Sequence, residues 1–148
     1  MQIKIKKTSP LAKTPTYATD GSGCFDLYGT NLLNVTVQEG WPAIIGTGLE
    51  IEIPPGFGMF ILSRSGHGFK FDTRLANCVG FIDSDYRGEI MVKLTTDIER
   101  DEAMPLTIYP GDRIAQACIL SVPRIGFNVV QSLSETARGT GGFGSSGR

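Results

Sequence analysis

Histidine occurs once and cysteine three times in this 148-residue chain, and that scarcity removes whole classes of chemistry. Cys24, Cys78 and Cys118 lie far apart in sequence with no CxxC pairing, which argues against a disulfide framework and against a structural zinc site. Any Ser-His-Asp triad or two-histidine metal centre must run through His67, and neither scheme has enough partners near it in sequence. His67 therefore reads as a loop residue rather than a catalytic one. No segment approaches the roughly 20 apolar residues of a membrane span, and the opening MQIKIKKTSP has no apolar stretch after its charges. A soluble, unexported chain in a reducing, cytoplasmic compartment is expected, with no membrane contact. Charge of one sign is missing too. Fourteen Lys and Arg against fifteen Asp and Glu give a net charge of −1, spread without the basic patch that tracks a nucleic-acid backbone, so nucleic acid is not expected as a partner. Nor does any stretch of eleven residues carry a 3.6 repeat. Ser65 to Thr73 and Ile98 to Met104 are each expected to hold at most a short helical turn.

What the chain does have is period-two alternation punctuated by glycine and proline. Ile3/Ile5, Leu49/Ile51/Ile53, Leu106/Ile108 and Ile114/Gln116/Cys118 alternate as half-buried strands do. Pro54-Pro55-Gly56 and Pro110-Gly111-Asp112 are turns in which proline presets one φ and glycine accepts the positive φ that follows. An all-β sandwich or barrel follows, and the length suits one domain with a real core. We place that domain at residues 1–137. The glycine-rich remainder, 138–148, cannot pack a core and is expected to be mobile when nothing is bound.

Polar residues gather in five clusters. Thr19 to Leu27 is a glycine-rich loop entering a strand that carries Asp26. Ile61 to Gly68 ends an apolar strand in Arg64, Ser65 and Gly66, which together make an anion cradle. Asn77 to Gly88, NCVGFIDSDYRG, presents two carboxylates, a tyrosine and an arginine. Its apolar lead-in of Val79, Phe81 and Ile82 reads as the end of a buried strand, and with Glu89 to Thr95 it reads as a hairpin with chemistry at its tip. An ordinary acidic turn whose Asp side chains cap their own backbone is the plain alternative. Tyr109 to Gln116 is a tight turn into a strand, with Arg113 and Gln116 on opposite faces. The tail contains Arg138 and Phe143, which an inert linker has no need of. Glycine-rich backbone with Arg and hydroxyls wraps a polyphosphate, and a lone aromatic stacks on a base.

Together the clusters supply arginines, backbone donors, hydroxyls and an acidic turn, but no protein nucleophile. That inventory suits a nucleoside polyphosphate cleaved by water, since phosphoryl transfer needs positioning, charge neutralisation and one base to deprotonate the attacking water.

In this order the five clusters resemble the five motifs of the trimeric dUTPase family; GFIDSDYRG, GDRIAQ and RGTGGFGSSG carry the resemblance most specifically. The resemblance implies a distorted jelly-roll β fold assembled as a homotrimer. The active sites would lie at the subunit interfaces, each closed by a C-terminal arm. It implies Mg²⁺-assisted hydrolysis of dUTP to dUMP and pyrophosphate, limiting uracil in DNA and supplying dUMP. Asp83 then matches the general base and Tyr86 the ring under the deoxyribose. Asn77 matches the side chain that would read the uracil edge with the backbone from Phe81 and Ile82 to Met91. Arg64, Ser65, Gly66 and Gln116 match phosphate contacts, with Arg64 also counted as catalytic. Arg138 matches the γ-phosphate ligand, Phe143 the aromatic stacked on uracil, and Gly144, Ser145 and Ser146 the rest of the phosphate wrap. No residue is expected to ligate Mg²⁺ directly; Asp26 would be at most one water removed. Departures from the family pattern fall beside these residues: Ser63 for a usual proline, Gly23-Cys24 for Ala-Gly, His67-Gly68-Phe69 for a Leu-Ala type continuation, and Thr95-Thr96 for a frequent asparagine. Two rival activities are a dCTP deaminase, alone or combined with dUTPase, and a dUTP-gated regulatory binding protein.

Overall fold

A computed structural model describes residues 1–97 and 105–145. The elements are β1 (Lys4–Lys7), β2 (Thr16–Tyr17), β3 (Phe25–Tyr28), β4 (Val35–Val37), β5 (Ala43–Glu52), β6 (Phe57–Leu62), α1 (Ser65–Phe71), β7 (Thr73–Leu75), β8 (Val79–Ile82), β9 (Glu89–Thr96), β10 (Leu106–Ile108) and β11 (Arg113–Ser121). A four-stranded sheet runs β1-β5-β9-β7, a five-stranded sheet runs β2-β3-β11-β6-β8, and β10 pairs with β4 alone. All pairings are antiparallel. The expected all-β class is what forms. α1 is the short helical turn allowed between Ser65 and Thr73; the other expected turn, Ile98 to Met104, lies outside the described residues. No described helix is long and apolar enough to cross a membrane.

Alternation builds the core. On β9, Ile90, Val92 and Leu94 are buried while Glu89, Met91 and Lys93 are not, and β5 buries Ala43, Ile45, Thr47, Leu49 and Ile51 from the same sheet. Leu27, Met59, Ile61 and Ala117 of the five-stranded sheet complete one apolar cluster. Each fully buried aliphatic side chain contributes about 1.5–3 kcal/mol. On β1, which pairs on one side only, Lys4 and Lys6 bond to Glu52 and Glu50 at 2.9 and 2.8 Å. Such charges blunt an exposed edge rather than stabilise it appreciably.

Two register shifts shape the sheets differently. Gly46 faces Met91 but Glu50 faces Glu89, so β5 gains two residues over β9 and keeps its inward phase. The shift is held by Gly48, whose N–H donates to Glu89 Oε1 at 2.7 Å, and by Thr47 Oγ1, which donates to the Ile90 carbonyl at 2.7 Å. Gly48 sits at φ +63°, and a Cβ there would lie 2.8 and 2.9 Å from the Cβ atoms of Ser9 and Ala12. Gly48→Ala is therefore expected to cost about 2–4 kcal/mol, combining backbone strain with overpacking, seen as a lower urea midpoint at unchanged slope.

The second shift changes phase. Arg113 faces Tyr28 while Ala115 faces Leu27, so β11 carries one extra residue. A one-residue slip exchanges faces. Ile114 and Ala115 are both buried, and Ala117, not Cys118, continues the core. The expected Ile114/Gln116/Cys118 alternation is corrected accordingly, and Arg113 is turned to the same cleft as Gln116 instead of the opposite face.

The expected hairpin at Asn77 to Thr95 is also corrected. β8 pairs with β6 in one sheet and β9 pairs with β5 and β7 in the other, so residues 83–88 bridge the sheets as an arch. Nor is β8 the end of a buried strand. It lies at the edge of its sheet, with Val79 and Phe81 exposed and Phe81 packed edge-on to Phe60, centroids 4.9 Å apart. Beyond β11, Val122 N bonds to the Gly56 carbonyl at 2.7 Å, and residues 123–145 then form neither strand nor helix. Ile125, Phe127, Val129 and Leu133 are exposed along this stretch, Phe127 to 90%.

Candidate active site

The second and fourth clusters meet the first in one open cleft of about 350 Å³, lined by Ser22, Cys24, Asp26, Arg64, Ser65, Arg113 and Gln116 among others. β3 carries Asp26 into it, β6 delivers Arg64 to the start of α1, and β11 brings Arg113 and Gln116. Asp26 is nearly buried and shared by two guanidinium groups, Arg64 Nε at 3.6 Å from Oδ1 and Arg113 Nη1 at 3.3 Å from Oδ2. Two cations around one carboxylate leave the cleft cationic, and the remaining guanidinium N–H groups suit anionic oxygens. Gln116 Nε2 donates to the Ser63 carbonyl at 3.0 Å, and Ser63 Oγ accepts from Leu75 N at 2.9 Å. Serine at position 63 thus ties β6 to β7 through a hydroxyl.

His67 is not a loop residue. It lies in α1, only 7% exposed, with Nε2 3.3 Å from Arg64 Nη1. Burial first, and then the Arg64 guanidinium, push its pKa down to about 4. The fold also brings together two cysteines that sequence spacing separates. Cys24 and Cys118 are free thiols in hydrogen-bonding contact, and burial, followed by the Cys118 neighbour, raises the Cys24 thiol pKa.

The third cluster divides between two other clefts. Asn77, Ile82 and Met91 line a recess of about 290 Å³ with Ile61, Leu75, Gly80 and Lys93. Phe81 and Asp83 line a separate, wider groove with Phe57, Ser84, Asp85 and Arg124. Alternation along β8 explains the division, since Phe81 and Ile82 leave the strand on opposite sides. The arch is closed by Tyr86 N donating to the Asp83 carbonyl at 3.2 Å and by Arg87 Nη1 donating to the carbonyls of Ser84 and Tyr86 at 2.8 and 2.9 Å. Tyr86 Oη donates to the Glu89 carbonyl at 3.1 Å. Arg87, the arginine of this cluster, received no role from the sequence; the structure makes it the side chain that closes the arch. The Asp83 side chain is exposed and, among the described residues, its carboxylate is not used in the turn. In the Tyr109 turn, by contrast, Asp112 Oδ2 accepts from Tyr109 N at 2.9 Å. A carboxylate that only caps its own backbone is what Asp112 is and Asp83 is not.

The arm stands apart from all three clefts. Arg138 Nε donates to the Gly141 carbonyl at 2.8 Å, within its own turn, and Phe143 is fully exposed at φ +51° beside Gly144 at φ +91°. Ser145 N bonds to the Gly142 carbonyl at 3.0 Å; Ser146 lies outside the described residues. Among the described residues no group of three or more His, Cys, Asp or Glu could hold a metal ion, and Asp26 is already engaged by two arginines. Mg²⁺ takes oxygen donors of the kind an anionic ligand and water carry and needs no all-protein cage, so the cleft fits it in the company of such a ligand.

A family profile described as dUTPase matches residues 11–147. A deoxyuridine 5'-triphosphate nucleotidohydrolase of Hahella chejuensis is 45% identical over 90% of this chain and 86% of its own length. One of Bordetella pertussis is 41% identical over 100% and 97%. Among solved structures, the dUTPase of Staphylococcus bacteriophage 80alpha with dUpNHpp superposes with a TM-score of 0.87 at 24% identity, covering 99% of both chains. A variant of the phage phi11 dUTPase, solved to show coordination of a structural Mg(II) ion, superposes at 0.75 with 19% identity over 89% of this chain and 98% of that one.

Proposed function

This chain belongs to the dUTPase family and hydrolyses dUTP to dUMP and pyrophosphate, and on that premise we propose which of its residues perform the reaction. Asp83 accepts the proton of the water that attacks the α-phosphorus. Asn77 and the backbone from Phe81 and Ile82 to Met91 hold the uracil edge, and Tyr86 packs beneath the deoxyribose, where a 2′-hydroxyl would have no room. Arg64, Ser65, Gly66 and Gln116 bind the triphosphate. Arg138 reaches the γ-phosphate, Phe143 covers the base, and Gly144, Ser145 and Ser146 wrap the phosphates.

The observation that carries this reading is the uncommitted Asp83 carboxylate, held at the tip of an arch that closes without it. A positioned carboxylate acting as general base is worth about 10²–10⁴ in rate. Fixed donors and acceptors around uracil would be left unpaired by cytosine, a mismatch that costs on the order of 10⁴-fold. Mg²⁺, when bound, supplies charge neutralisation and alignment of the triphosphate. Phosphate oxygens and water would hold it, with Asp26 the carboxylate that lines the phosphate cleft.

The same geometry supports an assembly of several subunits. The base recess, the phosphate cleft, the Asp83 groove and the arm are separate features of one chain. The stretch leading into the arm leaves the body with Ile125, Phe127, Val129 and Leu133 uncovered, and the arm adds Phe143; a neighbouring subunit would cover them. A homotrimer, in which each site draws these parts from different subunits, completes what one chain leaves open.

Pyrophosphate release from dUTP, dCTP, dTTP and UTP, with Mg²⁺ and then with chelator, tests the reading. Release from dUTP alone, abolished by chelator, is the expected result. Ammonia from dCTP would instead assign a deaminase, and dUTP binding without turnover a regulatory protein.

A further inference from the structure

The one histidine of the chain is buried in α1 beside the arginine that opens the phosphate cleft, and nothing in the reaction described above uses it. We infer that His67 is a positioning residue for Arg64, its Nε2 accepting a guanidinium hydrogen bond on one side while Asp26 engages the same guanidinium on the other. The inference rests on the reading of Arg64 as a phosphate ligand and adds how that side chain is held.

The chemistry of the pair fixes the proton. A guanidinium has donors only, so an imidazole nitrogen 3.3 Å from Arg64 Nη1 contributes to the contact only as an acceptor. Nε2 is therefore unprotonated and Nδ1 carries the hydrogen of the neutral ring. That Nδ1 is buried without a hydrogen-bond partner among the described residues. An unpaired buried donor is costly, and an apolar side chain of similar size would fill the same space without it. Packing alone thus does not explain an imidazole here, whereas an acceptor for Arg64 does.

Of the charged groups acting on the ring, Arg64 and Arg113 oppose a second proton and Asp112 favours one, and burial is the largest single effect. The ring stays neutral through the physiological range, so it is a fixed acceptor rather than a switch. Arg64 is then bracketed by Asp26 at Nε and His67 at Nη1, and its other N–H groups remain for an anion. Holding a long, flexible side chain in its binding rotamer before the ligand arrives removes an ordering cost from binding.

The full chain contains a single imidazole, so its nitrogen resonances are unambiguous. Nitrogen-15 NMR is expected to show the Nδ1–H tautomer, titrating near pH 4. An Nε2–H tautomer, or a midpoint near the ordinary histidine value of about 6.5, would overturn the inference. Pyrophosphate affinity and kcat/KM for dUTP are expected to fall about tenfold in His67→Leu and to recover largely in His67→Gln, which restores an acceptor. On an Arg64→Lys background, His67→Leu should cost nothing further. Equal losses in the Leu and Gln variants, or additive losses with Arg64→Lys, would reduce His67 to packing and overturn the inference. Should the leucine variant fail to fold, the NMR tautomer and the glutamine variant still decide. Arg64→Lys without effect on pyrophosphate binding would remove the phosphate role itself, and the inference with it. Loss in Arg64→Lys but none in His67→Leu would overturn the inference alone.

Discussion

Asp83→Asn is expected to lower turnover by about 10²–10⁴ while leaving dUTP affinity within a few-fold of the parent. The amide keeps the shape of the carboxylate but cannot take the proton from the attacking water. The side chain is exposed, and the arch that carries it is closed by Tyr86 N and by Arg87 on backbone carbonyls, so the substitution removes no contact that shapes the turn. An unchanged unfolding midpoint should accompany the lost rate. Single-turnover hydrolysis beside equilibrium binding of a non-hydrolysable dUTP analogue separates the two effects. Near-parent turnover in this variant would remove Asp83 from the role of base.

Deleting residues 138–148 is the second large effect. Arg138 bonds within its own turn and Phe143 is fully exposed, so the described part of the segment contributes little to the folded domain. The truncated chain is expected to unfold at the same temperature as the parent and to retain its assembly. Its kcat/KM should nevertheless fall on the order of 10³-fold, the scale on which an arginine delivered to a transferring phosphoryl group acts. The cut spares Ile125, Phe127, Val129 and Leu133, the exposed apolar residues that a neighbouring subunit is proposed to cover. A truncated chain that came apart on gel filtration would make the arm a structural element instead of a lid.

Much of this molecule is local, and what is local was legible in the sequence. Alternation in β5 and β10 identified strands and their inward faces because side chains leave a strand on alternate sides whatever it pairs with. Pro54-Pro55-Gly56 and Pro110-Gly111-Asp112 marked turns because their backbone angles are set by their own residues, with Gly56 and Gly111 at φ +82° and +79°. The short motifs around Asp83, Arg64 and the arm are local in the same way, and they carried the resemblance from which the roles of these residues are proposed.

Tertiary structure decided the rest, since it concerned which strands meet. Nothing in NCVGFIDSDYRG says that β8 and β9 enter different sheets. Two strands joined by a short turn pair with each other or bridge two sheets according to partners elsewhere in the chain, here β6 for one and β5 and β7 for the other. The extra residue near Ile114 is equally silent in an alternation pattern. It nevertheless moved Arg113 onto the face of Gln116 and formed the pair of cations around Asp26. His67 became a buried, neutral acceptor only because α1 folded it against Arg64. Residue types determined what chemistry was available, and non-local pairing, invisible to any local pattern, determined which groups share a cleft.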